Sequence, residues 1–423
     1  MSERELIIGL DLRDDYAQLS YALDLSNEVE SILMEEHEQK FLIPTAIGLR
    51  KDISQWAYGE EALILGEEDK AQVVQSLLDK VIKGYRIKLY GSLYDPIYLL
   101  ERFIYKILLE IKGRMPDKTI RQMVITIKDM DMILVEGIYK ALENLGLGKD
   151  RVQVQSHIKS YLSYVLSQEK DIWMNDVALF DFDEHGFSYS QIIVQRRRLP
   201  YLVEVFSRDY SKSLKYEELG QATASGNLDY ILENIVNDAM YKQIISSIYF
   251  TGKGFIDGLP KAVVRNISKG RRVFIGQNLY SKGACYYAQK LVGMSALNDF
   301  VFLLDDTISY TVSLVLYDKG EYKTVTIGKL GESIYEPVTA LEAILDGEES
   351  IKYQVMDKNG NRIQEDILIL DNLPKRPNKT TRIEFTVNYT SNSRFKIHIK
   401  DKGFGDLYPA TNMSWEKEVV IYE

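Results

Sequence analysis

A chain of 423 residues, 45% hydrophobic and 27% charged, has the composition of a globular protein with two or three separately cored domains. Its formal net charge of −10 argues against an extended nucleic-acid surface, and its single cysteine, Cys285, excludes an intrachain disulfide and fits a reducing compartment. No apolar run reaches membrane-spanning length and Ser2-Glu3-Arg4-Glu5 does not open a signal peptide, so a soluble cytoplasmic protein is expected.

The first structured stretch runs from Ile7 to Leu25. Ile7, Ile8 and Leu10 read as an apolar strand, Asp11 to Asp15 as a tight polar turn, and Tyr16 to Leu23 as a returning strand of alternating character. In Phe41–Leu63 the pattern predicts a strand at Ala46, Ile47 and Leu49, a short strand at Trp56-Ala57-Tyr58 and a helix from Gly59. Ala71–Leu78 reads as a short helix. Pro96–Ile111 reads as a longer one, with Ile97, Leu100, Ile104, Leu108 and Ile111 on one face. A buried strand at Met123–Ile127, a helix over Met132–Leu145 closed by Gly146, a strand at Val152–Gln155 and a helix over Ile158–Gln168 complete a mixed α/β pattern.

A second hairpin over Asp176–Val194 repeats the strand, acidic turn and strand of residues 7–25, which suggests an internal duplication. The basic run Arg196-Arg197-Arg198 reads as a solvated strand end rather than a phosphate patch, and a helix-rich passage is expected to Ser246. In Ser247–Val263 a strand ends in a Gly-x-Gly turn before Pro260 starts a helix, and Val273–Leu291 supplies a last strand and helix. From Val301 the period changes. Thr311–Leu316, Lys323–Ile327, Ile351–Met356, Ile367–Leu370, Arg382–Val387, Phe395–Ile399 and Glu418–Tyr422 read as short strands and predict a β-sandwich beginning near residue 303.

In this order the pieces resemble the seventy-kilodalton heat-shock chaperone family, over almost the whole chain. Ile8-Gly9-Leu10-Asp11 matches the family's first phosphate motif up to the aspartate, and Ile43-Pro44-Thr45 with Tyr58-Gly59-Glu60-Glu61-Ala62 is similar to its Pro-Ser-x and Gly-x-x-Ala segment. Val124–Ile127 and Leu145-Gly146-Leu147 match the middle of lobe one. Thr251-Gly252-Lys253-Gly254 through Pro260 resembles the adenosine-binding turn. Val301–Thr307 is similar to the family's apolar, acid-ended interdomain linker, and Ile369–Asp406 to its late sandwich segment. The resemblance implies an actin-like domain over residues 1–302, with duplicated ribonuclease-H-like lobes at about 1–172 and 173–302. An all-β sandwich over 303–423 would follow a linker at 301–306.

The family's site residues carry over only in part. Asp11 and Arg13 lie in the first phosphate loop, Asp181 and Gly186 in the second, and Gly252 and Gly254 in the adenosine turn. In the first loop Arg13 replaces a glycine, and Asp14 and Asp15 replace two hydroxyl residues. In the second, Asp183, Glu184 and His185 replace three glycines. If both loops converge as in the family, Asp14, Asp15, Asp183 and Glu184 face the place of the nucleotide's terminal phosphates. A like-charge pair at about 5 Å costs roughly 3 kcal/mol at an effective dielectric of 20, so Mg-ATP, the family's cofactor, is disfavoured and family-type hydrolysis is not expected. Arg13 could offset one such contact. His157–Tyr161 stands where the family has its Glu-Pro-Thr-Ala-Ala relay, the interval from Val194 to Tyr249 is short for the upper part of lobe two, and no helical lid is expected over the sandwich.

Asp11, Asp14 and Asp183 form a candidate divalent-metal set of hard oxygen ligands, set against the plainer reading of acids as turn formers. His157 and His185 are candidate bases without a recognisable nucleophile, and Cys285 reads as a packed small residue. The expected function is that of a chaperone-like pseudo-ATPase. It would bind a protein or peptide through the sandwich, whose groove between loops is expected around Gly328–Pro337, and through its scaffold domain, with Val301, Leu303, Leu304 and Asp305 as the linker. Two alternatives are an ATP-binding chaperone with altered phosphate loops and an actin-like assembly or scaffold protein, as in bacterial relatives of actin.

Overall fold

The computed structural model describes residues 5–23, 28–33, 41–197, 199–293, 296–318, 320–335 and 340–421. Ser2, Glu3, Arg4, Asp24, Leu25, Arg198, Glu336, Pro337 and Tyr422, which enter the expectations above, lie outside these residues. Two units divide the chain: Met1–Val194 with Phe206–Asp299, and Gln195–Val205 with Phe300–Glu423. The division differs from the contiguous boundary at 302/303, because a short internal segment belongs with the C-terminal unit.

Two sheets of the same construction organise the first unit. In one, Glu5–Leu12 pairs antiparallel with Tyr16–Leu23 and parallel with Thr119–Ile127, which pairs in turn with Val152–Ser156. In the other, Asp176–Asp183 pairs antiparallel with Gly186–Gln195 and parallel with Ile245–Thr251, which pairs in turn with Arg272–Ile275. Strand order and direction repeat, so the two hairpins expected from sequence occupy equivalent positions. Both central strands are buried along almost their whole length, as near-continuous apolar runs with parallel neighbours should be. One core gathers Ile8, Leu10, Phe103 and Ile125; a second gathers Phe180, Phe187, Val236 and Phe250.

The helix Leu279–Leu291 ties the halves of this unit together. It packs on the helix His157–Leu166 and on the strand Glu5–Leu12. A Cβ added to Gly283 would lie 1.9 Å from the carbonyl oxygen of Ser160, and one added to Gly9 would lie 2.1 Å from that of Ser281. Backbone therefore meets backbone at both contacts, which only glycine allows.

Three expectations need correction. Ala71–Leu78 is not one helix. Ala71–Val74 is a strand paired with Ile47–Arg50, and a helix runs over Leu77–Lys83 after Ser76 at φ 52°; the β-branched pair Val73 and Val74 favours the strand. The passage expected to be rich in helix contains the strand Tyr201–Asp209, whose Tyr201, Val203, Val205 and Phe206 suit a pleated surface. The expected linker is mostly a strand: Phe300–Leu303 pairs in parallel with Tyr201–Glu204, so Val301 and Leu303 are ladder residues. Leu304 and Asp305 follow in a turn where the Leu304 N–H donates to Thr307 Oγ1 at 2.8 Å.

Beyond that turn, the second unit has two four-stranded antiparallel sheets among the described residues. One holds Thr311–Asp318, Glu321–Gly328, Ser350–Met356 and Arg362–Ile369; the other holds Leu341–Leu345, Thr381–Ser391, Arg394–Gly403 and Ser414–Val420. The strand Leu341–Leu345 was missing from the seven expected. Val312, Tyr353, Phe385 and Ile397 belong to one apolar cluster fed by both sheets. Among the described residues no helix is long and apolar enough to cross a membrane.

Candidate functional site

The ends of the central strands bring the two hairpin turns of the first unit together. Asp11 lies opposite Gln18 and Thr126 in the first sheet, and Asp181 opposite Ser188 and Thr251 in the second. Between the turns lies Arg13, only 5% exposed. Its Nε donates to Asp11 Oδ2 at 3.2 Å and its Nη1 to Asp183 Oδ2 at 3.1 Å. One guanidinium thus joins a carboxylate from each hairpin, across 170 residues of sequence. Its Cζ lies over the Tyr16 ring at 4.9 Å and over the Tyr280 ring at 5.2 Å from the centroids, contacts that favour a cation.

Further polar groups close around this pair. Tyr280 Oη donates to Asp181 Oδ2 at 2.6 Å, and the His157 ring stacks on Tyr280 at 4.2 Å and contacts Asp11 Oδ1 through Nε2 at 2.7 Å. Lys128 Nζ lies 3.3 Å from Asp183 Oδ1, which also accepts the His185 N–H at 2.8 Å. At the rim, Lys253 Nζ bridges Asp15 at 2.7 Å and Glu184 at 3.0 Å.

The electrostatics follow from these contacts. Burial opposes ionisation of Asp11, but the Arg13 charge and the hydrogen bonds to His157 and Arg13 outweigh it and hold the carboxyl below its ordinary range. Burial likewise opposes ionisation of Asp183 and is outweighed by Lys128 and Arg13. For Arg13, burial disfavours the cation, yet Asp11 and the surrounding groups raise its pKa well above normal. The carboxylates and guanidinium are therefore fixed charges at neutral pH. Arg13 Nη2, His157 Nδ1, Asp181 Oδ1, Gln155 Oε1, Thr251 Oγ1 and both side-chain polar atoms of Gln18 are buried without a hydrogen-bond partner among the described residues.

Asp11, Arg13, Asp181 and Asp183 meet in this centre. Asp14 does not join them: its Oδ1 accepts the backbone N–H groups of Leu78 and Asp79 at 2.9 and 3.2 Å. Among the described residues no group of three or more His, Cys, Asp or Glu side chains is arranged to hold a metal. Gly186, at φ 137°, completes the second turn, where a Cβ would lie 2.4 Å from Ser211 Oγ. Gly252 and Gly254 admit close packing against Phe182, since a Cβ on either would come within 2.3 Å of its carbonyl oxygen or ring. The linker residues Val301, Leu303, Leu304 and Asp305 belong to the second unit. Cys285 is buried, its Sγ 3.7 Å from the Ile7 carbonyl oxygen, and burial pushes its thiol pKa far up.

Sequence reasoning missed Lys128, Tyr16, Tyr280 and Lys253. Lys128 carried a positional signal, directly after an apolar strand in the same sheet as Asp11, whereas the distant Tyr280 carried none. The guanidinium is already engaged by two carboxylates, and Asp15 and Glu184 hold the nearby ammonium.

A sequence profile described as "Family of unknown function (DUF5716) C-terminal" matches residues 28–305, and one described as "Domain of unknown function (DUF8552)" matches residues 307–421. The two matches meet at the turn after Phe300–Leu303. Comparison with curated proteins finds no match.

Proposed function

The chain belongs to the DUF5716 family of unknown function, whose description names no activity, and we propose that it is a chaperone-like pseudo-ATPase scaffold whose two hairpins are bridged by its own arginine. The observation that carries this reading is the buried guanidinium of Arg13 bound to Asp11 and Asp183 at once. In the resembling chaperones, phosphates bind at the corresponding hairpins; here a resident cation bridges carboxylates drawn from both. The repeated strand order of the two sheets is in keeping with an actin-like ancestry. The intramolecular bridge needs no ligand, so the first unit would act as a constitutive support rather than a nucleotide-driven switch.

Work on partners would fall to protein contacts. In the second unit the edge strand Arg362–Ile369 exposes Ile363, Ile367 and Ile369. An edge strand with outward apolar side chains suits pairing with an extended peptide segment.

Calorimetric titration of the full chain with ATP and ADP, each with Mg²⁺, tests the proposal. No binding heat and no thermal stabilisation are expected. Saturable micromolar binding would overturn it, because the nucleotide would have to displace Arg13 from two buried carboxylates or find another pose.

A further inference from the structure

The second sheet of the first unit ends in an open edge. Its outermost strand, Arg272–Ile275, pairs in parallel with Ile245–Thr251 on one side and with no strand on the other among the described residues. The Gly276 N–H donates to the Phe250 carbonyl oxygen at 3.0 Å. Main-chain groups alternate in direction along a strand, so those of Arg272 and Phe274 also turn toward the sheet and those of Val273 and Ile275 point outward. Among the described residues neither Val273 nor Ile275 makes a main-chain hydrogen bond outside the sheet. None of the four side chains is buried, and Ile275 is 43% exposed. Phe274 stacks on Tyr249 at 4.8 Å, which holds the strand in place.

Charge supplies an independent observation. The chain carries 62 Asp and Glu residues, yet positions 258–298 hold none. Lys261, Arg265, Lys269, Arg271 and Arg272 lie in that interval, on the helix Lys261–Ile267, the turn after it and the edge strand itself. Asp171 pairs with Arg272 at 3.5 Å, whereas the other four form no ion pair among the described residues. Asn266 Nδ2 donates to Glu233 Oε1 at 2.6 Å, so the helix Leu228–Ala239 flanks one side of Lys261–Ile267. Lys261 and Arg265, four residues apart, share the exposed face turned away from it.

We infer that this edge docks an acidic, extended segment of a partner protein, added to the sheet as a further strand. The outward groups of Val273 and Ile275 would carry the main-chain pairing, and the unpaired cations would meet the segment's carboxylates. Cations beside an open edge deter neutral and basic strands and leave an acidic one as the partner that gains. A nucleic acid would use the charge but not the apolar ladder. The inference does not depend on the pseudo-ATPase reading and concerns a different edge from Arg362–Ile369.

Calorimetric titration of the full chain with a capped octapeptide of alternating glutamate and valine, joined to hydrogen exchange of the wild-type complex, tests it. Saturable one-site binding is expected, with slowed exchange at the amides of Val273 and Ile275. Ile275→Pro removes an outward N–H at a place where an edge strand tolerates proline, and should weaken binding about tenfold or more. Arg265→Glu combined with Lys269→Glu and Arg271→Glu should weaken it at least as much, and the same peptide with lysine for glutamate should not bind. The exchange measurement needs no variant, so it decides even if Ile275→Pro does not fold. Absence of binding to the wild-type chain, or equal affinity in a folded Ile275→Pro, overturns the inference. So does protection at Arg362–Ile369 in place of Val273 and Ile275, which would put the peptide on the other edge. A single-stranded oligonucleotide that binds more tightly than the peptide, with affinity untouched by Ile275→Pro, would make the patch a polyanion surface and overturn it too. Binding of ATP would overturn the pseudo-ATPase reading and leave this one standing.

Discussion

Arg13 joins the two hairpins of the first unit. It is a buried cation between two buried carboxylates, so its removal leaves unpaired charge rather than a neutral gap. Arg13→Ala is expected to destabilise the chain by about 3–5 kcal/mol, read by urea denaturation. A loss below about 1 kcal/mol would mean that water or Lys128 replaces the guanidinium. The pH dependence has a definite sign. Asp11 and Asp183 have folded pKa values below their unfolded ones, so their contribution is present above the ordinary carboxylate pKa and is lost as pH falls through the folded values. Asp401 adds to the same limb: burial opposes its ionisation, but Arg376, bound through two contacts of 2.8 Å, and Thr411 lower its pKa strongly. Thermal midpoints should therefore be steady above about pH 5 and fall below about pH 4. Arg13→Ala should flatten that fall, and an unaltered acid profile in the variant would count against this account of the carboxylates.

Elements depend on close approach as much as on propensity. The helix Leu279–Leu291 reaches its neighbours through Gly283 and, from the opposing strand, Gly9. A side chain at residue 283 would strike the Ser160 backbone, which cannot rotate aside as a side chain can. Gly283→Leu should consequently cost at least about 3 kcal/mol, above the usual range for overpacking, and should lower hydrogen-exchange protection in both Leu279–Leu291 and His157–Leu166. Protection unchanged in His157–Leu166 would show that the helices move apart independently. The strand Ala71–Val74 teaches a related lesson. Its apolar residues are too few to separate a helical from a strand period, and pairing with Ile47–Arg50 decides the matter.

The whole molecule is divided in a way that sequence order conceals. Gln195–Val205 belongs with Phe300–Glu423, since Tyr201–Glu204 is the ladder partner of Phe300–Leu303. Gly331, at φ 83°, adds a second contact within that unit: a Cβ there would lie 2.5 Å from Val301. A fragment of residues 300–423 would keep the strand but lose its partner. Chymotrypsin should cut that fragment rapidly at Phe300, Phe302 or Leu303, whereas the full chain should be protected there. Equal protection would mean that the pairing with Tyr201–Glu204 is dispensable.

By itself, the sequence determined what depends on neighbours in the chain. Alternating and continuous apolar runs marked both hairpins, the helices Pro96–Arg114 and Met132–Asn144, and most strands of the second unit. The charged residues Arg13, Asp14, Asp183 and Glu184 of the two turns were equally legible, and so was the local charge conflict they create. Only the tertiary structure decided how that conflict is resolved. Arg13 takes Asp183 from another hairpin, Tyr280 arrives on a distant helix, and Asp14 turns away to a helix start. Periodicity reports which face of an element is apolar, whereas an ion pair depends on where two separately folded segments meet. That position is set by packing, down to the backbone contact at Gly283.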